Sequence, residues 1–149
     1  MNISNKAIST YSGYNFNSIA NFNGTILGAM ATGIYELSGA NDNGTDIDAV
    51  LKTGTMDFGE RAIKHIRDLW LTFRSTGKLR IKVWINEDTS TEIHKDTSIT
   101  GTAMAEERLK IPRGLRGRFF TIEINNIDGV DFDIDSLSML VESLVRKIR

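Results

Sequence analysis

The chain has 149 residues, with 18 Lys and Arg against 19 Asp and Glu, a single Pro and no Cys. This length suits one domain with a two-layer core, and 40% hydrophobic with 25% charged residues places it among ordinary globular sequences rather than disordered or collagen-like ones. Without Cys, disulfide frameworks, thiolate nucleophiles and Cys-based zinc sites are excluded, and a reducing compartment of synthesis is expected.

The net charge of −1 conceals an asymmetry. Residues 1–60 hold two bases, Lys6 and Lys52, against Glu36, Asp42, Asp46, Asp48, Asp57 and Glu60, so the remainder of the chain carries the basic excess. Opposed signs on one small domain suit a subunit that orients its neighbours head to tail. The first residues lack the positive start and continuous apolar run of a secretory signal. No window approaches the roughly 18 to 20 apolar residues of a membrane helix, so no membrane span is expected.

Taken in chain order, residues 1–15 are polar, carry Tyr11 and Tyr14, and show no period of 2 or 3.6, which predicts a flexible arm. Apolar stretches at 18–22, 25–31 and 33–37 follow, the first two separated by Asn23-Gly24. Asn-Gly between apolar runs is a hairpin signal, because a type I′ turn needs positive φ at both central residues. Residues 18–38 therefore read as a small meander, and Ile47–Leu51 as a further strand bracketed by turn clusters.

Leu69, Leu71 and Phe73 alternate with Trp70 and Thr72, and Leu79, Ile81, Val83 and Ile85 alternate with Arg80, Lys82 and Trp84, giving two strands with one apolar face each. Ser75–Lys78 reads as the turn that joins them as a pair. Residues 86–104 read as a long loop with one edge strand near 92–99. Two closing strands are predicted. Phe119–Asn125 turns Phe120, Ile122 and Ile124 inward, and Phe132–Glu142 turns Phe132, Ile134, Leu137, Met139 and Val141 inward across a phase slip near Asp135 and Ser136 that a β-bulge would supply. Residues 136–148 also fit a helical period, although a strand with a short tail is the expected form.

The expected fold is all-β: an antiparallel β-sandwich with an N-terminal arm and a small meander. Residues 16–149 form one domain in this reading, with 16–54 as the meander portion and 55–149 as the main sandwich.

The basic segment Arg108, Lys110, Arg113, Arg116 and Arg118, with Gly114 and Gly117, offers two readings. It is either an anion-binding loop, with the Gly-x-x-Gly spacing of KH domains, or a charged connection that pairs with acidic neighbours. The second is preferred, since the segment enters a strand rather than a helix, and nucleic acid is not the expected partner. Asp128, Asp131, Asp133 and Asp135 lack the order and closing Glu of a calcium loop, and read as the solvent side of a strand. His65 and His94 are the only histidines, and no Gly-x-Ser-x-Gly turn presents a serine, so no catalytic, cofactor or metal residue is assigned and an enzyme is not expected. Trp70 and Trp84, outward in this reading, form with Tyr35 a candidate sugar-stacking platform.

The ordered segments 33–39 (GIYELSG), 41–47 (NDNGTDI), 55–59 (TMDFG), 109–119 (LKIPRGLRGRF) and 126–137 (NIDGVDFDIDSL) resemble a group of tailed-bacteriophage and prophage structural proteins, over roughly residues 16–149. The resemblance implies a non-enzymatic virion component of the tail or baseplate region, assembled in the host bacterial cytoplasm and carrying no cofactor. Its implied partners are further copies of itself in a cyclic assembly and other tail or connector proteins. Tyr11, Tyr14, Trp84, Arg113, Arg116 and Arg118 are the candidate contact residues. Host-surface carbohydrate binding through the tryptophans is the alternative function.

Overall fold

A computed structural model of the chain describes residues 15–39, 41, 42 and 44–144, which contain strands and no helix. The predicted arm, with Tyr11 and Tyr14, lies outside the described residues apart from residue 15. The chain divides into two compact units at residues 39 and 40.

The first unit is the predicted meander, an antiparallel sheet of β1 (Ser18–Phe22), β2 (Thr25–Met30) and β3 (Gly33–Glu36) in sequential order. Asn23 and Gly24 both take positive φ, 51° and 89°, as a type I′ turn requires. The Asn21 carboxamide oxygen accepts a hydrogen bond from Gly24 N at 3.0 Å. Gly28 is needed for packing, because a Cβ there would lie 2.6 Å from the Phe16 ring. Pairing puts Ile19 and Ile26 on one face and Phe22 and Ile34 on the other, all four exposed. Three short strands cannot bury both of their own faces.

The second unit opens with a two-stranded ribbon, β4 (Asn41–Asp42) and β5 (Thr45–Asp46), turned at Gly44 with φ 84°. The remaining strands form two antiparallel sheets. The first contains β7 (Lys64–Ser75), β10 (Gly101–Lys110), β11 (Arg116–Gly117) and β13 (Phe132–Ser143). Because β13 pairs with β7 along its whole length, β10 and β11 share the opposite edge of β7, at Asp68–Ser75 and Lys64–His65. The second sheet has the order β6 (Val50–Lys52), β12 (Phe120–Asn126), β8 (Leu79–Ile85) and β9 (Asp88–Asp96).

The inner faces of these sheets share one core. Leu69, Leu71 and Phe73 from β7 and Leu109 from β10 pack with Leu79 and Ile81 from β8 and Ile122 and Ile124 from β12, all buried. Burying a side chain of this size stabilises by about 1.5–3 kcal/mol relative to exposure. A second cluster of Ile66, Val83, Ile111, Leu115 and Phe120 fills the end near the start of β7. The period-2 expectation for β7, β8, β12 and β13 holds residue by residue. The expected bulge is present too: Ile134 pairs with Phe73 and Ser136 with Thr72, leaving Asp135 as the extra residue. A second irregularity lies on β7, where Leu140 pairs with Asp68 and Val141 with Ile66, so that Arg67 and Asp68 stand side by side.

Several expectations are corrected. β7 and β8 are not a hairpin pair, since they belong to different sheets and Ser75–Lys78 is a corner between layers. Two contacts made by the connection after β12 hold that corner. Ser75 Oγ donates to the Asp131 carbonyl at 3.1 Å, and Val130 occupies the space beside Gly77, where a Cβ would meet Val130 Cγ1 at 2.4 Å. Residues 86–104 are not a long loop. Asn86 and Glu87, with φ 52° and 62°, turn β8 directly into β9, and β10 starts at Gly101. Arg108 and Lys110 are strand residues rather than part of a connecting loop. β6 pairs with β12 and so completes the second sheet rather than the meander.

Candidate assembly interface

Three loops meet at the end of the sandwich where β8 finishes and β12 begins: the approach to β7, the β8–β9 turn, and the link from β10 through β11 to β12. Between them lies a cleft of about 560 Å³, lined by Ile63, Asn86, Glu87, Arg116, Gly117, Arg118 and Phe119. Asn86 organises its floor. Its side-chain oxygen accepts from Arg118 N at 2.9 Å and Phe119 N at 3.3 Å, while its own backbone N–H donates to the Phe119 carbonyl at 2.9 Å. Glu87 reaches away to accept from Thr55 Oγ1 at 3.5 Å.

Gly117 explains how the segment reaches this position. It is buried opposite Lys64, and a Cβ there would lie 2.0 Å from Ile85 Cγ2 and 3.0 Å from the Asn86 side-chain oxygen. Its missing side chain is therefore used to bring β11 against the β8–β9 turn. Gly114, with nothing within 4 Å of a Cβ, is open. The Gly-x-x-Gly spacing that resembles a KH loop thus has a packing origin at Gly117.

The basic segment separates into two kinds of charge. Arg108 is neutralised: it meets Asp68 through two hydrogen bonds of 2.9 Å and lies 5.7 Å from the centre of the Trp70 ring. Arg67 adds a 3.2 Å contact to the same carboxylate and a 2.8 Å contact to Glu142. The Arg108 hydrogen bonds hold the Asp68 carboxyl below the usual carboxylate range, against burial, which pulls the other way. By contrast, no carboxylate pairs with Arg113, Arg116 or Arg118 among the described residues. Arg116 Nε donates to the Arg113 carbonyl at 3.3 Å. Arg74, Arg80 and Arg67 all have acidic partners, Asp133, Asp96 and Glu142 respectively. Three unmatched arginines within six residues, beside the exposed side chains of Ile63 and Phe119, make this end of the sandwich the candidate site.

Trp84, the remaining candidate that is described, is elsewhere. It lies half-buried on the outer face of the second sheet, with Lys52 Nζ 3.6 Å from its ring centre. Trp70 occupies the outer face of the first sheet, so the two rings point to opposite sides of the sandwich and build no common stacking platform; Tyr35 belongs to the other unit. Of the four aspartates considered for calcium, Asp133 pairs with Arg74, and Asp131 accepts from Phe132 N at 3.0 Å. His65 contacts the Pro112 carbonyl at 3.3 Å, and no group of three potential metal ligands converges among the described residues.

No family model, curated protein or solved structure matches this chain. The site is therefore read from its own geometry. Ile63 and Asn86 were missed in the sequence, because nothing local marks a residue brought to Arg116 by the pairing of distant strands.

Proposed function

We propose that the chain is a structural subunit of a tailed-bacteriophage virion, in the tail or baseplate region, acting through protein–protein assembly. The observation that carries this reading is the pair of unmatched arginines, Arg116 and Arg118, that line an open cleft with exposed Ile63 and Phe119, with unmatched Arg113 close by in the same segment. Apolar surface rimmed by charge that the chain itself leaves unanswered suits a protein partner. The resemblance of residues 16–149 to phage structural proteins supplies the virion context. Further support comes from β13, a twelve-residue strand paired only with β7 among the described residues, since a long edge strand is a surface that assembly can cover. Its partners are copies of itself in a cyclic array and neighbouring tail or connector proteins. The carbohydrate alternative draws no support from two tryptophans on opposite faces.

Electron microscopy of native particles, with the chain located by a specific antibody fragment, tests this function. Several symmetry-related copies in the tail region are expected. Absence from particles, or a single asymmetric copy, would overturn it.

A further inference from the structure

The second unit has two chemically opposite ends. β12 runs from Phe120, beside the arginine-lined cleft, to Asn126 at the far end, and seven residues of strand separate these ends by roughly 20 Å. At the far end Asn126 anchors the acidic segment that follows β5. Its side-chain oxygen accepts from Ala49 N at 2.8 Å, and its Nδ2 donates to the Ile47 carbonyl at 2.8 Å and the Val130 carbonyl at 3.1 Å. The turn after β12 lies against the same segment, since a Cβ at Gly129 would be 2.9 Å from Asp46 Cβ. Asp46, Asp48, Asp128 and Asp131 thereby gather at this end, and none has a cationic partner among the described residues. Ile47 lies exposed between Asp46 and Asp48.

We infer that the arginine-lined cleft of one copy receives the Asp46–Asp48 segment of a second copy, so that subunits join head to tail along the strand direction. This deepens the assembly reading and rests on it. The two ends are complementary: at the cleft are guanidinium groups that pair with no carboxylate, the lining Glu87 accepting from Thr55 instead, and at the other end are carboxylates that pair with no cation. Exposed Ile47 at one end matches exposed Ile63 and Phe119 at the other, giving the contact an apolar centre within a charged rim. Four of the chain's arginines, Arg67, Arg74, Arg80 and Arg108, already hold a carboxylate of their own chain, so the unmatched groups at the two ends are not simply a surplus of one sign spread over the surface. Because the two surfaces differ and lie at opposite ends, the contact is heterologous. Repeated, it produces a closed ring when successive rotations sum to a full turn, and an open filament when they do not.

The test uses sedimentation of the full chain across a range of protein and salt concentrations. The unaltered chain should self-associate, more weakly as salt rises, because exposed charges are screened. The double variants Asp46→Lys/Asp48→Lys and Arg116→Glu/Arg118→Glu should each weaken self-association on the order of tenfold or more, by setting like charges together. Mixed in equal amounts, the two variants should associate with each other, since each then offers the sign the other needs. Circular dichroism and a cooperative melt establish that both remain folded. A chain that stays monomeric, variants that self-associate as well as the unaltered chain, or a mixture that does not associate would overturn the inference. Symmetric copies seen in particles, together with association indifferent to charge reversal, would remove this contact while leaving the virion function in place.

Discussion

Asp68 and Arg108, forty residues apart in sequence, meet across the β7–β10 pair through two parallel 2.9 Å hydrogen bonds. The aspartate is only 1% exposed, although it lies on the outer face of its sheet, because Arg67 and Arg108 extend over it. A fork-to-carboxylate pair of this kind fixes orientation as well as charge, and it ties the edge strand β10 to the centre of the sheet.

The depressed ionisation of Asp68 has a consequence for acid stability. Its folded pKa lies below the ordinary value of 3.8, as does that of Asp96, which Arg80 holds by hydrogen bonds of 2.8 and 2.9 Å. A carboxylate whose pKa is lowered by folding stabilises the fold at pH values above its unfolded pKa and loses that contribution as pH falls through the folded one. The contribution of these two groups is therefore fully present and independent of pH near neutrality, and melting temperatures should fall as pH drops below about 4. Asp68→Asn should lower the melting temperature at pH 7 and reduce the slope of the acid loss. An unchanged acid profile in that variant would contradict the role given to this pair.

Gly117 and Gly114 form an internal control. Gly117→Ala forces a methyl group against Ile85 and should destabilise by about 1–3 kcal/mol, the usual cost of overpacking. Gly114→Ala meets nothing within 4 Å and should change stability by no more than about 0.5 kcal/mol. Urea titration of the two variants side by side measures the difference.

Asn126 satisfies three backbone groups from two separate connections with one side chain. Asn126→Ala removes these hydrogen bonds at a position only 9% exposed, and a loss of about 1–3 kcal/mol is expected. Amide exchange should also accelerate at Ala49, whose N–H donates to this side chain. Protection at Ala49 equal to that of the unaltered chain would show that another acceptor takes over.

Glu87 holds φ at 62° in the second central position of the β8–β9 turn, a conformation that disfavours residues with a Cβ. Glu87→Gly should stabilise by about 0.5–1 kcal/mol, since the side-chain hydrogen bond it gives up, from Thr55, is long at 3.5 Å. Chemical denaturation would show this as a higher midpoint with an unchanged slope.

Leu71 and Ile122 face each other's sheets from the centre of the core and are fully buried. Truncating either to Ala should cost about 2–5 kcal/mol. A loss below about 1 kcal/mol for both would mean that the layers do not share this interior.

The facing of individual side chains was legible in the sequence because it is a local property: successive residues of a strand point to opposite sides whatever the strand pairs with. Thus Leu69, Leu71 and Phe73, then Phe120, Ile122 and Ile124, then Phe132 and Ile134 with the slip at Asp135, could be assigned inward from a few neighbouring residues each. The Asn23-Gly24 turn was readable for the same reason, its backbone requirement being written in its own two residues. The candidate site was legible only as a run of arginines. Arg116 and Arg118 were singled out, but nothing near Arg108 in the chain reveals that Asp68 has already neutralised it.

Sequence alone determined that the chain would be all-β and which face of each principal strand would be apolar, since alternation is set within the strand. The tertiary structure decided which sheet each strand joined, that Ser75–Lys78 turns a corner instead of closing a hairpin, and which charges remain unmatched. Those outcomes depend on groups more than fifty residues apart, such as Ser75 with Asp131 and Arg74 with Asp133, whose meeting is governed by packing of the whole core.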